Sequence, residues 1–452
     1  MSPSLRSDGM AASILGGISS FMTEGRPMRI AMVTTFFGPH RFGGDAAYVE
    51  RLAQALLRRG HSVTVFYSRT AFEALRGKCD ALSYRPPPGL EITPLWSRWF
   101  RLDLLWRHQT GRLGHQGKDL VRRLVAGAFD VIHFHNISLI GGAALLNGAP
   151  KGSIRLMTAH EHWLTCPLSL LWRLGLEACE RATCVRCTLH SGRPPQLWRH
   201  SGAIQRGVSG LDSLIFPSHH TLESHAHRGI RHPRSRVLPY FLPDDWVSHT
   251  PPPSPPRDAP FRFVGRLVKE KGLQTLIPLF LTRPECRLEI LGDGPFRPEL
   301  ERLATGAPNI RFLGAVSAEE VRALLPNTRA LLVPSLFPET FGYVLLEAWS
   351  QGIPTLSSAA GALAEVSAYG GGWVCHSRED FAGWIDLLRA NPATAQEQGL
   401  AGWRQALQRF GEGPHIRAWE SLARKSDDVE SASQDLVSGA TGLPSSLEAP
   451  KA

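Results

Sequence analysis

The segment Leu332–Leu356 reads LVPSLFPETFGYVLLEAWSQGIPTL and predicts a strand, a loop and a helix in succession. An apolar run ends at Val333, turn residues follow, and helical spacing extends over Phe341–Ser350. Two glutamates with seven residues between them flank the start of this helix, Glu339 in the loop and Glu347 inside the helix. Because N–H groups at a helix N-terminus attract anions, the segment predicts a phosphate site between two carboxylates that accept hydrogen bonds from hydroxyls.

A second pattern of this kind lies upstream. The helix dipole alone favours a glutamate near a helix N-terminus, so the first segment by itself leaves a purely structural role open. The predicted strand 261–267 ends in Gly265 and Arg266, however, and the pair Lys271 and Gly272 precedes the next predicted helix. A guanidinium and an ammonium at the carboxyl end of a strand suit a diphosphate that no metal neutralises. A third loop, GDGP at 292–295, follows another predicted strand.

In this order, the three patterns resemble the family-four retaining glycosyltransferases, whose two-domain fold is called GT-B. The resemblance covers residues 28–424 and implies an α/β fold of two facing Rossmann-like domains, each a doubly wound parallel sheet. It also implies sugar transfer from a nucleotide sugar with retention of configuration and with no metal or other cofactor needed for catalysis. The residues predicted to bind the donor are Gly265, Arg266, Lys271, Phe341 and Gly342 at the diphosphate, Glu347 at the ribose and Glu339 at the sugar.

The first half of the chain predicts the other Rossmann-like domain. Residues 29–37 and 62–67 are near-continuous apolar runs, as in strands of a sheet that is covered on both faces. Gly43 and Gly44 lie at the start of the intervening helix, where the backbone can approach a ligand closely. The Gly-x-Gly-x-x-Gly spacing is missing, which argues against a nicotinamide cofactor. In the resembling family this glycine pair lies in the interdomain cleft, near donor phosphate and acceptor.

Histidines follow two further predicted strands, 129–135 and 153–159. A histidine at a strand end is more often structural than catalytic, and we interpret His133 and His135 in this way. His160 is the exception. In the resembling family a histidine at this strand end contacts the transferred sugar, which makes His160 a candidate catalytic residue.

The loop 161–196 shows little strand pattern and contains four cysteines. Four thiolates can close a tetrahedral zinc site, and such a site would support a loop of this length. The alternative is four inert thiols. We expect a turn of helix near 170–174, between the first two cysteines. Glu161 and His162 replace the acid and the aromatic residue that are usual in the family. The candidate ligands of a structural zinc are Cys166, Cys179, Cys184 and Cys187.

Length and composition set the domain organisation. With 452 residues, 43% of them hydrophobic, the chain is too long for one ordinary core and fits two globular domains. No apolar run approaches the roughly 20 residues of a membrane span. The predicted segments are a disordered leader at 1–27, an acceptor-side domain at 28–243, a proline-rich linker at 244–260, a nucleotide-sugar domain at 261–391, helices that return to the first domain at 392–424 and a disordered tail at 425–452.

The formal charge of +10 indicates an acidic partner without choosing among nucleotide sugars, anionic lipids and nucleic acid. We find no nucleic-acid motif, and seven cysteines in so long a chain do not form a typical secreted disulfide framework, so we expect a cytoplasmic protein. The segment 95–108 reads LWSRWFRLDLLWRH and predicts an interfacial helix at the inner face of an anionic membrane. Its alternative is a helix that packs on the first domain or lines the acceptor side. The apolar face of the predicted helix consists of Leu95, Trp99, Leu102 and Trp106, and an exposed basic rim around it consists of Arg98, Arg101 and Arg107.

The prediction from sequence is therefore a glycosyltransferase that takes a nucleotide sugar as donor and a glycan, a lipid-linked saccharide or a small molecule as acceptor. Two alternatives stay open. A nucleotide-sugar epimerase of the same fold would turn over the donor without any acceptor. A non-catalytic protein that binds nucleotide sugars or nucleic acid would depend on the basic charge and the cysteines alone.

Overall fold

The computed structural model describes residues 26–41, 43–77, 84–97 and 99–424, with the backbone alone at 76, 100 and 101. Most of the predicted leader and all of the predicted tail lie outside these residues. The strands of the first domain are β1 (Arg29–Thr34), β2 (Ser62–Ser68), β3 (Glu91–Leu95), β4 (Val131–Phe134), β5 (Ile154–Thr158), β6 (Trp172–Arg173), β7 (Glu177–Ala178), β8 (Ser213–Phe216) and β9 (Ser235–Val237). Its helices are α1 (Gly44–Arg58), α2 (Arg69–Arg76), α3 (Phe100–Thr110), α4 (Gly114–Ala126), α5 (Gly142–Gly148), α6 (Cys184–His190), α7 (Ala203–Ser209) and α8 (His219–His227).

The second domain repeats the alternation of strand and helix. Its strands are β10 (Phe261–Val264), β11 (Leu288–Leu291), β12 (Ile310–Gly314), β13 (Leu331–Val333), β14 (Thr355–Ser358) and β15 (Gly372–Cys375). The helices that follow are α9 (Leu273–Leu281), α10 (Arg297–Leu303), α11 (Ala318–Leu324), α12 (Tyr343–Ser350), α13 (Leu363–Ser367), α14 (Arg378–Ala390), α15 (Pro392–Arg409) and α16 (Glu412–Leu422).

Both large sheets are parallel and doubly wound, which confirms the predicted fold class. The first has seven strands in the order β3-β2-β1-β4-β5-β8-β9, and the second has six in the order β12-β11-β10-β13-β14-β15. The strand order reverses between β1 and β4 and again between β10 and β13. In such sheets the loops at the carboxyl ends of the strands form a ligand crevice at the reversal. Each domain therefore offers one wall of a cleft.

The last helix ties the domains together. Its residues Glu412 and Glu420 pair with Arg58 and Arg59 at the end of α1, at 2.5 and 3.0 Å. Trp419 is fully buried in an apolar cluster that continues from the first domain into α12 and α15 of the second. The cluster and the returning helix hold the two walls against each other. No helix of the described ranges is long and apolar enough to cross a membrane.

Two local predictions are wrong. The interfacial helix does not begin at Leu95, which is a buried residue at the end of β3, and α3 starts only at Phe100. Pro94 argues against a strand in the sequence, but β3 lies at the edge of its sheet, where proline is tolerated. The expected turn of helix at 170–174 is instead the antiparallel hairpin β6–β7, whose turn has positive φ angles at Leu174 and Gly175, 53° and 70°.

Candidate active site

The second-domain wall brings Lys271 and Glu339 together. Lys271 ends a short turn after β10, and its Nζ lies 2.6 Å from Oε1 of Glu339 in the loop after β13. Ser335 donates its hydroxyl to the same carboxylate oxygen, also at 2.6 Å. The ion pair is mostly buried, with the Glu339 side chain 12% exposed, so the lysine is held beside the carboxylate on the floor of the cleft. This contact joins two residues that the sequence placed in separate patterns.

The start of α12 lies directly after this pair. The helix begins at Tyr343, two residues later than predicted, because Gly342 is its N-cap with a left-handed φ of 90°. A side chain at this position would also meet Leu363, whose Cδ2 lies 2.5 Å from an ideal Cβ. Phe341 is buried against the rings of Tyr240 and Phe410. The N-terminal amides of α12 thus form a fixed positive end next to Lys271 and Glu339.

A glycine permits the close approach of the lysine turn. Gly272 has φ 75°, and an ideal Cβ on it would lie 1.8 Å from the carbonyl oxygen of Pro334. Any other residue would therefore push the turn that carries Lys271 away from the loop after β13. The Lys-Gly sequence in the pattern is explained by this backbone contact.

Glu347 forms an ion pair with the first domain. Nη2 of Arg51, on α1, lies 2.9 Å from Oε1 of Glu347, and the two side chains are 9% and 17% exposed. The guanidinium also stacks on the rings of Trp246 and Tyr343, at 4.1 and 4.5 Å from their centroids. Its other terminal nitrogen, Nη1, is buried without a hydrogen-bond partner among the described residues. The predicted ribose-binding carboxylate therefore has a fixed orientation, and a buried N–H donor lies beside it.

The first-domain wall faces Arg266. Gly43 is the N-cap of α1 and Gly44 its first residue, and both are exposed at the cleft. Asp45 follows them and accepts a hydrogen bond from Nδ2 of Asn136, after β4, at 3.3 Å. Burial raises the pKa of Asp45 above its ordinary value, whereas the Asn136 hydrogen bond and the charge of Arg266 lower it. Arg266 is exposed to solvent and close enough to Asp45 for the two charges to interact across the cleft.

Both ring nitrogens of His160 are engaged in a buried network. Nε2 is hydrogen-bonded to Nδ1 of His135 at 2.9 Å, and Nδ1 to the hydroxyl of Tyr240 at 2.6 Å. Burial lowers the pKa of His160 to about 3, so the ring is neutral at physiological pH. Its carbonyl oxygen accepts the hydroxyl of Thr340 at 2.8 Å, which places the strand end beside Glu339. His160 thus lies at the predicted place, but in this structure its ring bonds inward.

His133 is structural in the same network. Trp419 donates its indole N–H to Nδ1 of His133 at 3.1 Å, so the proton of this neutral ring is on Nε2 and is donated to Thr158 at 2.8 Å. Burial lowers the pKa of His133 and of His135 well below the ordinary value. The two rings therefore stay uncharged beneath the cleft.

Glu161, next to His160, is a carboxyl with a strongly shifted pKa. Burial is the main cause and the negative charge of Asp45 the second, and together they raise the pKa of Glu161 to about 8. A hydrogen bond from Ser169 and the charges of Arg199 and Arg193 lower it. Carboxyls with raised pKa values in a cleft are candidates for proton transfer and hydrogen-bond donation. On the first-domain wall, burial thus favours the neutral forms of His160 and Glu161, whereas the second-domain wall carries the Lys271–Glu339 ion pair.

The four predicted zinc ligands lie near one another without forming a metal site. Cys166 and Cys187 are buried, Cys179 and Cys184 are partly exposed, and all four are free thiols. Burial first, and then the neighbouring cysteines, raises the pKa of Cys179 and Cys184. Over the described ranges, no group of three or more His, Cys, Asp or Glu side chains is arranged to hold a metal ion. Structural zinc stays a prediction, and metal analysis of purified protein tests it.

Three residues of the cleft were missed from the sequence. Asp45 carried a signal, since it follows a glycine pair at a helix start. Glu161 was named only as a departure from the family pattern, and its pKa depends on a burial that the sequence does not show. Arg51 gave no signal, because it lies in the middle of an amphipathic helix and meets Glu347 only when the domains face each other.

Comparisons with known proteins identify the family of this chain. The family model described as Glycosyltransferase Family 4 matches residues 42–245, and the model described as Glycosyl transferases group 1 matches 245–402. The uncharacterized glycosyltransferase MJ1607 of Methanocaldococcus jannaschii is 26% identical over 373 residues, 79% of this chain and 87% of that protein. The D-inositol 3-phosphate glycosyltransferase of Pseudarthrobacter chlorophenolicus is 26% identical over 390 residues, 79% and 85% of the two chains.

Solved structures share the fold. Sucrose-phosphate synthase from Thermosynechococcus elongatus superposes with a TM-score of 0.66 at 19% identity, covering 87% of this chain and 98% of that one. Anabaena HepE in complex with UDP and glucose gives a TM-score of 0.62 at 16% identity, covering 87% and 99%. Two parallel doubly wound domains around one cleft define the GT-B class of glycosyltransferases. Within that class, the chain belongs to glycosyltransferase family four.

Proposed function

We propose that this glycosyltransferase transfers a sugar from a nucleotide diphosphate sugar to a glycan, a lipid-linked saccharide or a small molecule, with retention of configuration and without a catalytic metal. The observation that carries the proposal is the contact between Lys271 and Glu339 at the start of α12. A cation, a carboxylate and a helix N-terminus in one place match the three parts of the donor's reacting end, which are the leaving phosphate, the sugar hydroxyls and the bridging diphosphate.

The donor would lie on the second-domain wall. Arg266, Lys271 and the amides of Phe341 and Gly342 would bind the diphosphate, and Glu347 would accept hydrogen bonds from the ribose. HepE, a structural neighbour, has been solved with UDP, with UDP and glucose and with UDP-glucose, which supports a nucleotide-sugar donor in this chain. The unpartnered Nη1 of Arg51 supplies one more donor beside the ribose site.

Leaving-group stabilisation would be the main catalytic effect. Negative charge develops on the diphosphate as the sugar departs, and preorganised donors in a partly dry cleft stabilise such charge strongly. Arg266 and Lys271 supply two positive charges at this point, which is the basis for proposing that catalysis needs no metal. Glu339 would hold the sugar through its hydroxyls and, in the free protein, keep Lys271 in place at 2.6 Å.

The acceptor would enter from the first-domain wall, beside Gly43, Gly44 and His160. We keep His160 as a candidate contact to the transferred sugar, although its ring must then exchange the bond to His135 or Tyr240 for one to the substrate. Glu161 lies on the same wall, and its pKa of about 8 makes a neutral carboxyl available there to bond an acceptor hydroxyl.

A panel of nucleotide sugars scored by thermal shift tests the donor. A ligand at a hundred times its dissociation constant stabilises the folded protein by about 2.7 kcal/mol, which is readily measured. With the best donor, the anomeric configuration of the product by NMR tests retention, and assays with and without a magnesium chelator test metal independence. Donor turnover without any acceptor would favour the epimerase, and stabilisation by oligonucleotides alone would favour a nucleic-acid-binding protein.

A further inference from the structure

Helix α3 and the loop before it expose a set of large apolar side chains. We call this set the α3 face. Its exposed fractions are 59% for Trp96, 62% for Trp99, 64% for Leu102, 51% for Leu105 and 51% for Trp106. Single exposed apolar residues are ordinary on protein surfaces, but three tryptophans and two leucines on and beside one helix are a patch of the kind that marks an interaction site.

The opposite side of α3 buries charge. Asp103 and Arg107 form an ion pair at 3.3 Å, and their side chains are only 6% and 1% exposed. Arg107 also donates to the backbone carbonyls of Leu139 and Ile140, the latter at 2.8 Å. Asp103 accepts the backbone N–H of His115 at 2.6 Å. Burial lowers the pKa of Arg107 to about 10. The helix is therefore held with its polar side inward and its apolar side outward, the reverse of a surface helix on a soluble protein.

This orientation is set by specific bonds. The carbonyls that Arg107 binds belong to the loop after β4, and the N–H that Asp103 binds lies in the first turn of α4. Turning α3 so that its leucines and tryptophans face inward would break both sets of bonds. The polar groups that now form these bonds would then lack partners. The sequence prediction that placed Arg107 on the exposed basic rim is wrong for this reason.

The α3 face lies at the mouth of the cleft. Trp96 directly follows β3, and β3 runs parallel to β2 and β1, so its end shares the sheet edge from which the cleft loops arise. Arg107 connects α3 to the loop after β4, the strand that also carries Asn136 toward Asp45. A surface that the α3 face contacts therefore lies beside the acceptor wall.

Basic residues lie at the C-terminal end of the helix. Arg112 and Arg193 are exposed, and neither pairs with a carboxylate of the described residues. Arg193 is near enough to α3 that its charge, after burial, lowers the pKa of His108. Tryptophan prefers the headgroup region of a bilayer, where its ring is dry and its N–H is wet, and each arginine near an anionic bilayer adds attraction. Apolar rings with an unpaired basic rim fit an anionic lipid surface.

We propose that the α3 face docks this protein on an anionic bilayer, so that the acceptor wall receives a lipid-linked saccharide directly from the membrane. This rests on the proposed function for the identity of the acceptor, but the docking itself depends only on the α3 face and its basic rim. The contact is peripheral, with the tryptophans inserted at headgroup depth.

Vesicle sedimentation at low salt tests the docking. The protein should pellet with vesicles of phosphatidylcholine and phosphatidylglycerol and much less with phosphatidylcholine alone. The double variant Trp99→Ser/Trp106→Ser should lose about tenfold or more in partitioning, since each ring removes a large apolar area from the interface. The variant Arg112→Ser/Arg193→Ser should lose about fivefold per charge at low salt, and the difference should vanish at high salt.

Controls separate docking from general stickiness and from misfolding. The variant Leu281→Ser/Leu313→Ser removes apolar side chains that are 43% and 41% exposed on the second domain and should pellet like the unaltered protein. Quenching of tryptophan fluorescence by brominated phosphatidylglycerol reports insertion in the unaltered chain, so the test does not depend on a variant. Equal pelleting of the Trp99→Ser/Trp106→Ser variant would overturn the proposal.

Two further outcomes would also decide it. Should the unaltered protein stay in the supernatant and show self-association that Trp99→Ser/Trp106→Ser abolishes, the occupant of the face is a second copy and the docking proposal is wrong. Thermal shift with nucleotide sugars on the same preparations keeps the two proposals apart. Protein that pellets with vesicles but binds no nucleotide sugar refutes the proposed function alone, and protein that binds the donor but ignores vesicles refutes the docking alone.

Discussion

The two walls of the cleft are built in different ways. The second-domain wall uses ionised groups from short loops at strand ends, with Lys271 and Glu339 in direct contact. The first-domain wall uses groups that burial keeps neutral, with the pKa of His160 lowered and that of Glu161 raised. A ligand with a fixed charge is bound by protein side chains of fixed charge, and the sequence shows these side chains directly. A neutral, polar ligand is met by groups whose protonation depends on the fold.

The largest effect should come from the ion pair on the second-domain wall. Lys271→Ala removes a cation that stabilises the leaving diphosphate, so we expect kcat to fall about a hundredfold or more. The melting temperature should change little, because Glu339 keeps its hydrogen bond from Ser335. Steady-state kinetics together with thermal unfolding give both numbers.

The neighbouring lysine is the matched control for this variant. Lys269 lies in the same short turn but is exposed, so Lys269→Ala should leave kcat within about twofold of the unaltered protein, as surface substitutions usually do. Equal losses from the two lysines would mean that net charge, and not the position of Lys271, matters. Full dependence of the reaction on added magnesium would contradict the metal-free arrangement on this wall.

The two glutamates should separate binding from transfer. Glu347→Gln should raise the dissociation constant for the nucleotide about tenfold, because a ribose hydroxyl loses a charged acceptor, whereas kcat should change little. Glu339→Gln should lower kcat about tenfold or more and leave nucleotide binding nearly unchanged. Isothermal titration with the free nucleotide and turnover of the full donor measure the two quantities. Equal effects from both variants would contradict the assigned roles.

Arg51 tests whether the walls act independently. Its pair with Glu347 crosses from one domain to the other, and removal of one partner leaves a mostly buried charge. We expect Arg51→Gln to weaken nucleotide binding about five- to tenfold, and the double variant with Glu347→Gln to be less than additive. A fully additive cycle would show that Arg51 does not position Glu347. Arg59→Gln, which breaks an interdomain pair away from the cleft, is the control.

Most of the fold could be predicted from the sequence because strands buried on both faces have continuous apolar runs. The apolar run predicted to end at Val333 is β13, which ends at that residue, whereas β3 was missed because proline interrupts it and only one neighbouring strand pairs with it. In the site, the sequence identified residues in the loops after strands where the backbone geometry requires glycine, as at Gly272 and Gly342.

What the sequence could not show is which groups meet and how they are protonated. The ring of His160 bonds inward because Tyr240, 80 residues later in the chain, lies over it. The pair of Arg51 with Glu347 joins residues 296 positions apart. The inverted polarity of α3 depends on carbonyls that only the folded loop after β4 presents. Long-range contacts of this kind determine which groups meet on the first-domain wall, and they leave no pattern in the local sequence.

The smallest effect, and the one that tests the first-domain wall most directly, is a pH dependence of stability. The pKa of Glu161 is about 8 in the folded protein, against an ordinary value of 4.5 that the unfolded chain regains. Between these two values the folded state binds more protons than the unfolded state, so stability falls as pH rises. At pH values below the unfolded-state pKa, the contribution of Glu161 to the free energy of unfolding does not change with pH. At pH values above the folded-state pKa, the loss of stability caused by Glu161 is complete.

The difference between the unaltered protein and Glu161→Gln isolates this residue, because the buried histidines titrate alike in both and cancel. Urea unfolding from about pH 5 to 9 should show the unaltered protein losing stability relative to the variant as pH rises, with the loss levelling off near pH 8. Asp45→Asn should shift that upper limit to lower pH, because the charge of Asp45 helps to raise the pKa of Glu161. Glu223→Gln, at an exposed position of α8, should show no such curve. A flat difference for Glu161→Gln would mean that this carboxyl is ionised in the folded protein, and the contrast between an ionised donor wall and a neutral acceptor wall would not hold at this residue.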